Sequence, residues 1–287
     1  MTTTPRFLVT GATGTIGRPL VAHLGHGHAD WVVFAASRKG EAAAGVSGRA
    51  LDLLDAASVR AAMQGIDRLF LLTPAHPEME TMTANAVQAA RAAGVQHVVR
   101  VSGAGADPAS DSALARLQGR CDQIVVESGI PFTLLRPKNF MQNFITFMRE
   151  MIRAGTVYSS QGEGRVPFID ARDIAEVAAK VLAEPASHAG RAYTLTGPQA
   201  LTNGEALAVI AEAIGRPVRR VPITEDQAVE GMQKAGMAEF MVQALSDLNR
   251  LIAAGKAAEI TDDVPRLLAR PARRWADFVA EHRSVWL

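Results

Sequence analysis

The residues best suited to chemistry come first in the chain. Gly11-Ala12-Thr13-Gly14-Thr15-Ile16-Gly17 spaces three glycines as G-x-x-G-x-x-G, directly after the apolar run Phe7-Leu8-Val9-Thr10 and directly before a helical pattern through Leu20, Val21 and Leu24. In that setting each glycine has a distinct physical use. The first permits a tight turn, the second lets the backbone approach a pyrophosphate, and the third lets the helix pack closely. A helix that starts there turns unpaired N–H groups and a positive dipole end toward phosphate oxygens. Gly11, Thr13, Gly14, Thr15, Ile16 and Gly17 are therefore candidate cofactor contacts. A second apolar run, Trp31 to Ala36, ends at Ser37-Arg38-Lys39 with no acidic residue at its tip. An acid there would accept from a ribose 2′-OH, whereas an arginine fork suits a 2′-phosphate. Arg38 and Lys39 thus point to NADP(H) in preference to NAD(H).

Other candidates sit where later strands end. Asp52 and Leu53 stand where an adenine amino group is often held; equally, Asp52 reads as a turn residue beside Asp55 as a helix cap. Arg68 to Leu72 is a buried strand running into Thr73-Pro74, with His76 just beyond. The strand Val95 to Val101 runs into Ser102, and Phe132 to Pro137 into Lys138. Open α/β sheets bind ligands at such carboxyl ends. Thr73, Pro74, Ser102 and Lys138 are accordingly cofactor candidates, and Lys138, His76 and Ser102 are the candidate catalytic side chains. No single catalytic residue is assigned. After Lys138, Phe140, Met141, Phe144, Phe147 and Met148 crowd what reads as one helix, and Phe240 and Met241 recur on a later one. Phe140, Met141, Phe144, Phe240 and Met241 are the candidate walls of an apolar acceptor pocket, although the same spacing also suits plain core packing.

The elements that must position these groups alternate regularly. Strands near residues 7, 32, 68, 97 and 132 are separated by helical stretches ending at glycines such as Gly94. That order predicts an α/β fold, a Rossmann-like doubly wound parallel sheet with a smaller, mostly helical C-terminal lobe. Gly40 to Ser47 reads as a polar turn. Residues 1–137, with a returning segment at about 166–200, form the expected dinucleotide-binding domain; 138–165 and 201–287 form the expected smaller lobe.

The glycine turn, Ser37-Arg38, Ser102-Gly103-Ala104, the stretch Glu127 to Pro137, Asn139-Phe140-Met141-Gln142-Asn143 and Phe168 to Ala175 together resemble the NmrA-like family of atypical short-chain dehydrogenases/reductases. The likeness runs to about residue 220. It implies an NAD(P)-binding Rossmann fold. It also implies one of two activities, because the family holds NAD(P)H-dependent quinone and triphenylmethane-dye reductases beside catalytically silent redox sensors. The Tyr-x-x-x-Lys pair typical of the wider superfamily is missing: Tyr158 and Tyr193 are the two tyrosines, and neither has a lysine four residues on. Losing a general acid forfeits about 10²–10⁴ in rate, so ketone–alcohol interconversion is disfavoured. Hydride transfer to a quinone or a cationic dye needs far less proton assistance, and orientation carries most of it. The expectation is an NADPH-dependent oxidoreductase acting on a quinone-like or dye-like aromatic acceptor. The alternatives are a non-catalytic NADP(H)-sensing regulator and a reductase of a natural-product intermediate.

Composition narrows the class further. The net charge of +1 over 287 residues suggests no nucleic-acid surface. No apolar run approaches the roughly 20 residues of a membrane span, and the start carries no signal-peptide profile, so a cytoplasmic location is expected. Cys121 is the single cysteine, which excludes an internal disulfide and a cysteine metal cluster. His23, His26 and His28 read as a surface turn, and no metal is expected. A small aromatic molecule is the expected partner; a monomer and a homodimer are both compatible with the sequence.

Overall fold

The structure is a computed structural model in which residues 4–27, 31–42 and 44–287 are described; His28 lies outside them. The chain divides into two compact units, Met1–Pro137 with Ile174–Thr194, and Lys138–Asp173 with Leu195–Leu287. The segment returning to the first unit is thus Ile174–Thr194, shorter than the expected 166–200.

The first unit is a Rossmann-like α/β sandwich. Its strands are β1 (Arg6–Val9), β2 (Val32–Ser37), β3 (Ser47–Ala50), β4 (Arg68–Leu72), β5 (His97–Val101) and β6 (Phe132–Pro137). They pair in parallel in the order β3-β2-β1-β4-β5-β6, and Arg191–Leu195 adds a seventh strand beside β6. The helices α1 (Gly17–Gly27), α2 (Ala56–Met63), α3 (Met79–Ala92) and α4 (Ala113–Val126) connect them. β4 and β5 are near-continuous apolar runs because helices cover both faces of a parallel sheet. One core layer joins Leu8, Leu69 and Leu71 of the sheet to Val59, Met63, Val87 and Val125 of the helices.

β3 corrects the sequence reading, which carried the polar turn through Ser47. Its residues, Ser-Gly-Arg-Ala, have no apolar alternation because the strand lies at the sheet edge with no fully buried position. Gly48 is needed there, since a Cβ would fall 2.1 Å from the Gly40 carbonyl oxygen.

The second unit is built around its own apolar core of Met141, Phe144, Phe168, Leu207, Trp275 and Trp286, among others. Two small pairings frame it: Thr156–Ser159 runs parallel to Arg219–Pro222, and Arg165–Val166 antiparallel to Leu201–Thr202. The helix Asn203–Ile214 opens with a reciprocal capping box between Thr202 and Glu205 and closes at Gly215 in the left-handed conformation. The other regular elements of this unit are helices.

At the amino end of β5 in the first unit, His97 is buried against Thr133 (Nε2 to Oγ1, 3.0 Å), whose hydroxyl donates to the His188 carbonyl. Burial, together with the nearby Arg68 and His188, pushes the His97 imidazole down to about 4. An unfolded chain takes up that proton near pH 6.5 while the folded one resists it, so this contribution is complete above pH 6.5 and lost as pH falls toward 4. The loss amounts to about 3 kcal/mol. Denaturant melts at pH 7 and pH 4.5 will show that decline, and His97→Gln will flatten it.

Candidate dinucleotide site and acceptor lobe

The glycine turn is made by contacts that side chains would obstruct. Gly11 has φ +63°, a left-handed value, and its missing Cβ would approach Leu72 to 3.1 Å. Gly14 N donates to the Gly11 carbonyl at 2.9 Å and starts the turn that feeds α1. A Cβ on Gly17 would lie 2.1 Å from the Gly11 oxygen, so the third glycine lets the first turn of α1 sit against the loop itself. A Cβ on Gly14 meets only the Gly11 oxygen, at 3.2 Å. Thr13, Gly14 and Thr15 are exposed, while the Ile16 side chain is buried, leaving only its main chain to face a ligand.

Thr10, which sequence reasoning passed over, locks this turn to the neighbouring strand. Its hydroxyl donates to the Leu72 carbonyl at 3.0 Å and accepts from the Leu72 N–H at 2.7 Å. It thereby joins the carboxyl ends of β1 and β4, where the strand order reverses and open sheets bind ligands. The residue after β4, Thr73, is 6% exposed, and its hydroxyl has no hydrogen-bond partner among the described residues. A buried hydroxyl without a partner is costly. At this position it fits a ligand that supplies the missing bond. Arg18 was also missed; it projects from the first turn of α1, and its guanidinium reaches the Thr13 carbonyl at 3.4 Å.

The other predicted contacts divide. Arg38 is exposed after β2 and has no ion-pair or hydrogen-bond partner among the described residues; Lys39 lies 3.9 Å from Glu41. Asp52 Oδ1 accepts from Leu54 N at 2.9 Å, and Asp55 caps α2 through Ala57 N, so Asp52 serves a local turn with one oxygen. Leu53 is half-buried against the core, and its carbonyl accepts from Asn85. Pro74 is exposed. His76 accepts the Glu78 N–H on Nδ1 at 3.1 Å, which makes its ring part of the entry to α3. Ser102 donates its hydroxyl to Asp122 on α4 at 3.0 Å.

In the second unit, Lys138 is half-buried; burial lowers its ammonium and Glu259 partly opposes that shift. The expected helix carrying Phe140 to Met148 does not form. Asn139 and Phe140 instead run extended beside Ile169, followed by a short 3₁₀ turn over Met141–Phe144. Gln142 holds this segment: its amide nitrogen donates to Asp170 at 2.9 Å and its oxygen accepts the Ala171 N–H at 3.0 Å. The segment therefore fills the core. Phe144 meets Phe168 edge-on at 5.1 Å and Trp275 at 4.6 Å, and Trp286 Nε1 donates to its carbonyl. Met141 and Phe144 are each 1% exposed. They are core residues, not pocket walls; Phe140, Phe240 and Met241 keep half-buried faces.

The Phe168 to Ala175 stretch acts through two fully buried carboxylates. Burial pushes the Asp170 carboxyl up, but hydrogen bonds from Arg172 and Gln142 more than offset this and hold it below its ordinary value. Arg172 is bonded in turn to Glu281 at 2.7 Å. Asp173 accepts from Arg270 at 2.8 Å, from the Arg273 N–H at 2.8 Å and from the Arg273 guanidinium. Both carboxylates tie the start of one helix to the C-terminal segment.

A family model described as NAD(P)H-binding matches residues 11–185, which contain all three glycines of the turn. The chain belongs to the NAD(P)H-binding family. It falls among the oxidoreductases of that family. An NAD(P)H azoreductase of Xenophilus azovorans is 39% identical over 97% of this chain and 98% of its own length. The structure of a Citrobacter triphenylmethane reductase superposes with a TM-score of 0.85 at 26% identity, covering 97% of this chain and 99% of the other. The Escherichia coli quinone oxidoreductase QOR2, solved with NADPH, also superposes at 0.85, with 25% identity over 96% of this chain and 99% of its own.

The placement of Phe144 gives a direct check. Phe144→Ala will cost about 3–5 kcal/mol of stability, the range for emptying an aromatic site in a core. Phe140→Ala and Phe240→Ala, at half-buried positions, will cost clearly less in the same denaturant titration.

Proposed function

We propose that this chain is an NADPH-dependent reductase that delivers hydride to a planar aromatic acceptor of the quinone, azo-dye or triphenylmethane-dye class without a side-chain acid. The observation that carries the cofactor choice is Arg38, an exposed guanidinium after β2 with no partner among the described residues and no carboxylate in its place. Its fork suits the 2′-phosphate that distinguishes NADPH from NADH. Gly11, Thr13, Gly14, Thr15 and the main chain of Ile16 cradle the pyrophosphate at the start of α1, with Arg18 as a further cation. Lys39 adds charge near the 2′-phosphate, and Asp52 and Leu53 border the adenine. Thr73, Pro74 and Ser102, successive along the carboxyl ends of β4 and β5, receive the nicotinamide half.

When bound, the nicotinamide supplies the hydride. The protein's own part is to orient: apolar side chains stack the acceptor, and we assign Phe140, Phe240 and Met241 to that task, with Lys138 as a hydrogen-bond donor to an acceptor oxygen. Hydride reduction of a quinone leaves a hydroquinone anion that water can protonate, and a carbocationic dye is neutralised outright. No positioned acid is then required, in keeping with the absence of a Tyr-x-x-x-Lys pair and with Tyr193 being engaged by His188 at 2.9 Å. The relatives support this reading through the acceptors in their names, an azo dye, a triphenylmethane dye and a quinone.

The protein will oxidise NADPH in the presence of at least one acceptor from a panel of quinones, azo dyes and triphenylmethane dyes. Tight NADPH binding without turnover across the panel would instead identify a nucleotide-sensing regulator. Arg38→Glu will weaken NADPH binding by about tenfold to a hundredfold, the scale of a charge-assisted contact, and leave NADH binding unharmed. Equal effects on both nucleotides would remove Arg38 from the account.

A further inference from the structure

Ser102 belongs to a buried network with a fixed direction of hydrogen bonding. Arg100, on β5, is fully buried; its guanidinium donates to Asp122 Oδ1 and, at 2.7 Å, to Gln118 Oε1. Arg136, on β6, donates to Asp122 Oδ2 through Nε at 3.2 Å and Nη2 at 2.9 Å. Ser102 Oγ reaches the same Oδ2 at 3.0 Å. Asp122 is itself only 4% exposed.

The donors and acceptors leave one arrangement. A guanidinium can only donate and an ionised carboxylate can only accept. Asp122 already accepts from two guanidinium groups, so it carries no proton to give. The single hydroxyl proton of Ser102 therefore points inward to Asp122. Its main-chain N–H is committed too, donating to the Leu135 carbonyl at 2.7 Å, which holds the residue in the register of the sheet. What Ser102 can still offer is the lone-pair side of its oxygen, at the carboxyl end of β5.

We propose that Ser102 is an obligate hydrogen-bond acceptor for the nicotinamide half of the bound nucleotide, taking an N–H of the carboxamide or an O–H of the adjoining ribose, and that it donates no proton to the hydride acceptor. Asp122, Arg100 and Arg136 are positioning residues that set this polarity. The inference rests on the proposed cofactor site. With the 2′-phosphate at the end of β2 and the pyrophosphate after β1, the strand order carries the remaining half of the nucleotide across β4 and then β5. It also removes one of the three catalytic candidates, because a hydroxyl whose proton is held by a carboxylate is no acid for substrate.

Isothermal titration of the full chain with NADP⁺, with adenosine 2′,5′-bisphosphate and with the 3-acetylpyridine analogue of NADP⁺ separates the possibilities. Ser102→Ala leaves Asp122 paired with both arginines, so the variant is expected to fold, which a thermal melt verifies. It should weaken NADP⁺ binding by about three- to tenfold, the scale of one neutral hydrogen bond. Binding of the bisphosphate, which lacks the nicotinamide half, should not change. If the carboxamide is the donor, the wild type will prefer NADP⁺ to the acetyl analogue and Ser102→Ala will not distinguish them. If the ribose is the donor, the variant will weaken both alike. Asp122→Asn, whose amide can donate back to Ser102, should lower NADP⁺ affinity with no further loss when combined with Ser102→Ala. Should that variant not fold, the Ser102→Ala titrations decide alone. Unchanged NADP⁺ binding in Ser102→Ala, or a parallel loss of bisphosphate binding, overturns the inference and leaves the cofactor site standing. A wild-type chain that binds neither NADP⁺ nor the bisphosphate overturns both.

Discussion

The approach of Gly17 to the Gly11 carbonyl is the constraint on which the nucleotide half of this protein depends. A Cβ at Gly17 would stand 2.1 Å from that oxygen, so no side chain at all is tolerated there. The contact seats the amino end of α1 against the turn, and the left-handed φ of Gly11 makes the turn tight enough to allow it. Thr10 then ties the same point to β4 through both main-chain groups of Leu72. A loop, a helix terminus and two strand ends are thereby brought together where parallel sheets receive ligands. Every other group assigned to the nucleotide in this unit, from Arg38 to Ser102, is placed by its strand relative to that point.

The second unit is held by a different device. Asp170 and Asp173 are fully buried carboxylates that would be prohibitively costly alone, and each is satisfied by arginines and main-chain N–H groups. Asp170 is bonded to Gln142 and to Arg172, which pairs in turn with Glu281, and Asp173 is bonded to Arg270 and Arg273, 97 and 100 residues further along the chain. A motif that resembles a family signature in the sequence is thus explained as an anchor for the lobe. No reaction chemistry is needed to account for it.

What the sequence disclosed follows the range of the forces involved. The β1–α1–β2 unit and the stop of α3 at Gly94 were legible because apolar period and glycine conformation are local. β3 was not, because an edge strand of Ser-Gly-Arg-Ala has no pattern to display. The stretch after Lys138 was misread as a helix because its apolar density matched one. Its extended path is set by Ile169 and by the grip of Gln142 on Asp170, contacts made 28 residues away and more. For the same reason Met141 and Phe144 looked like pocket walls and are core. The Arg100–Asp122–Arg136 network was equally hidden, since a charged residue within the apolar run His97-Val98-Val99-Arg100-Val101 gives no hint of a partner on a helix that starts twelve residues after the strand ends.

Taken together, the Ser102 hydroxyl proton is held by Asp122 and the His76 ring is tied through Nδ1 to a helix entry, so neither is assigned as a proton donor. The central claim is direct hydride delivery to an aromatic acceptor that needs no such donor. Its most direct test is a single-turnover reaction of the protein with NADPH deuterated at the transferring position and a cationic triphenylmethane dye, followed by mass analysis of the reduced dye. The account predicts one deuterium on the central carbon of the product. A product without deuterium, or a bound nucleotide that never reduces the dye or any quinone offered in its place, would contradict it.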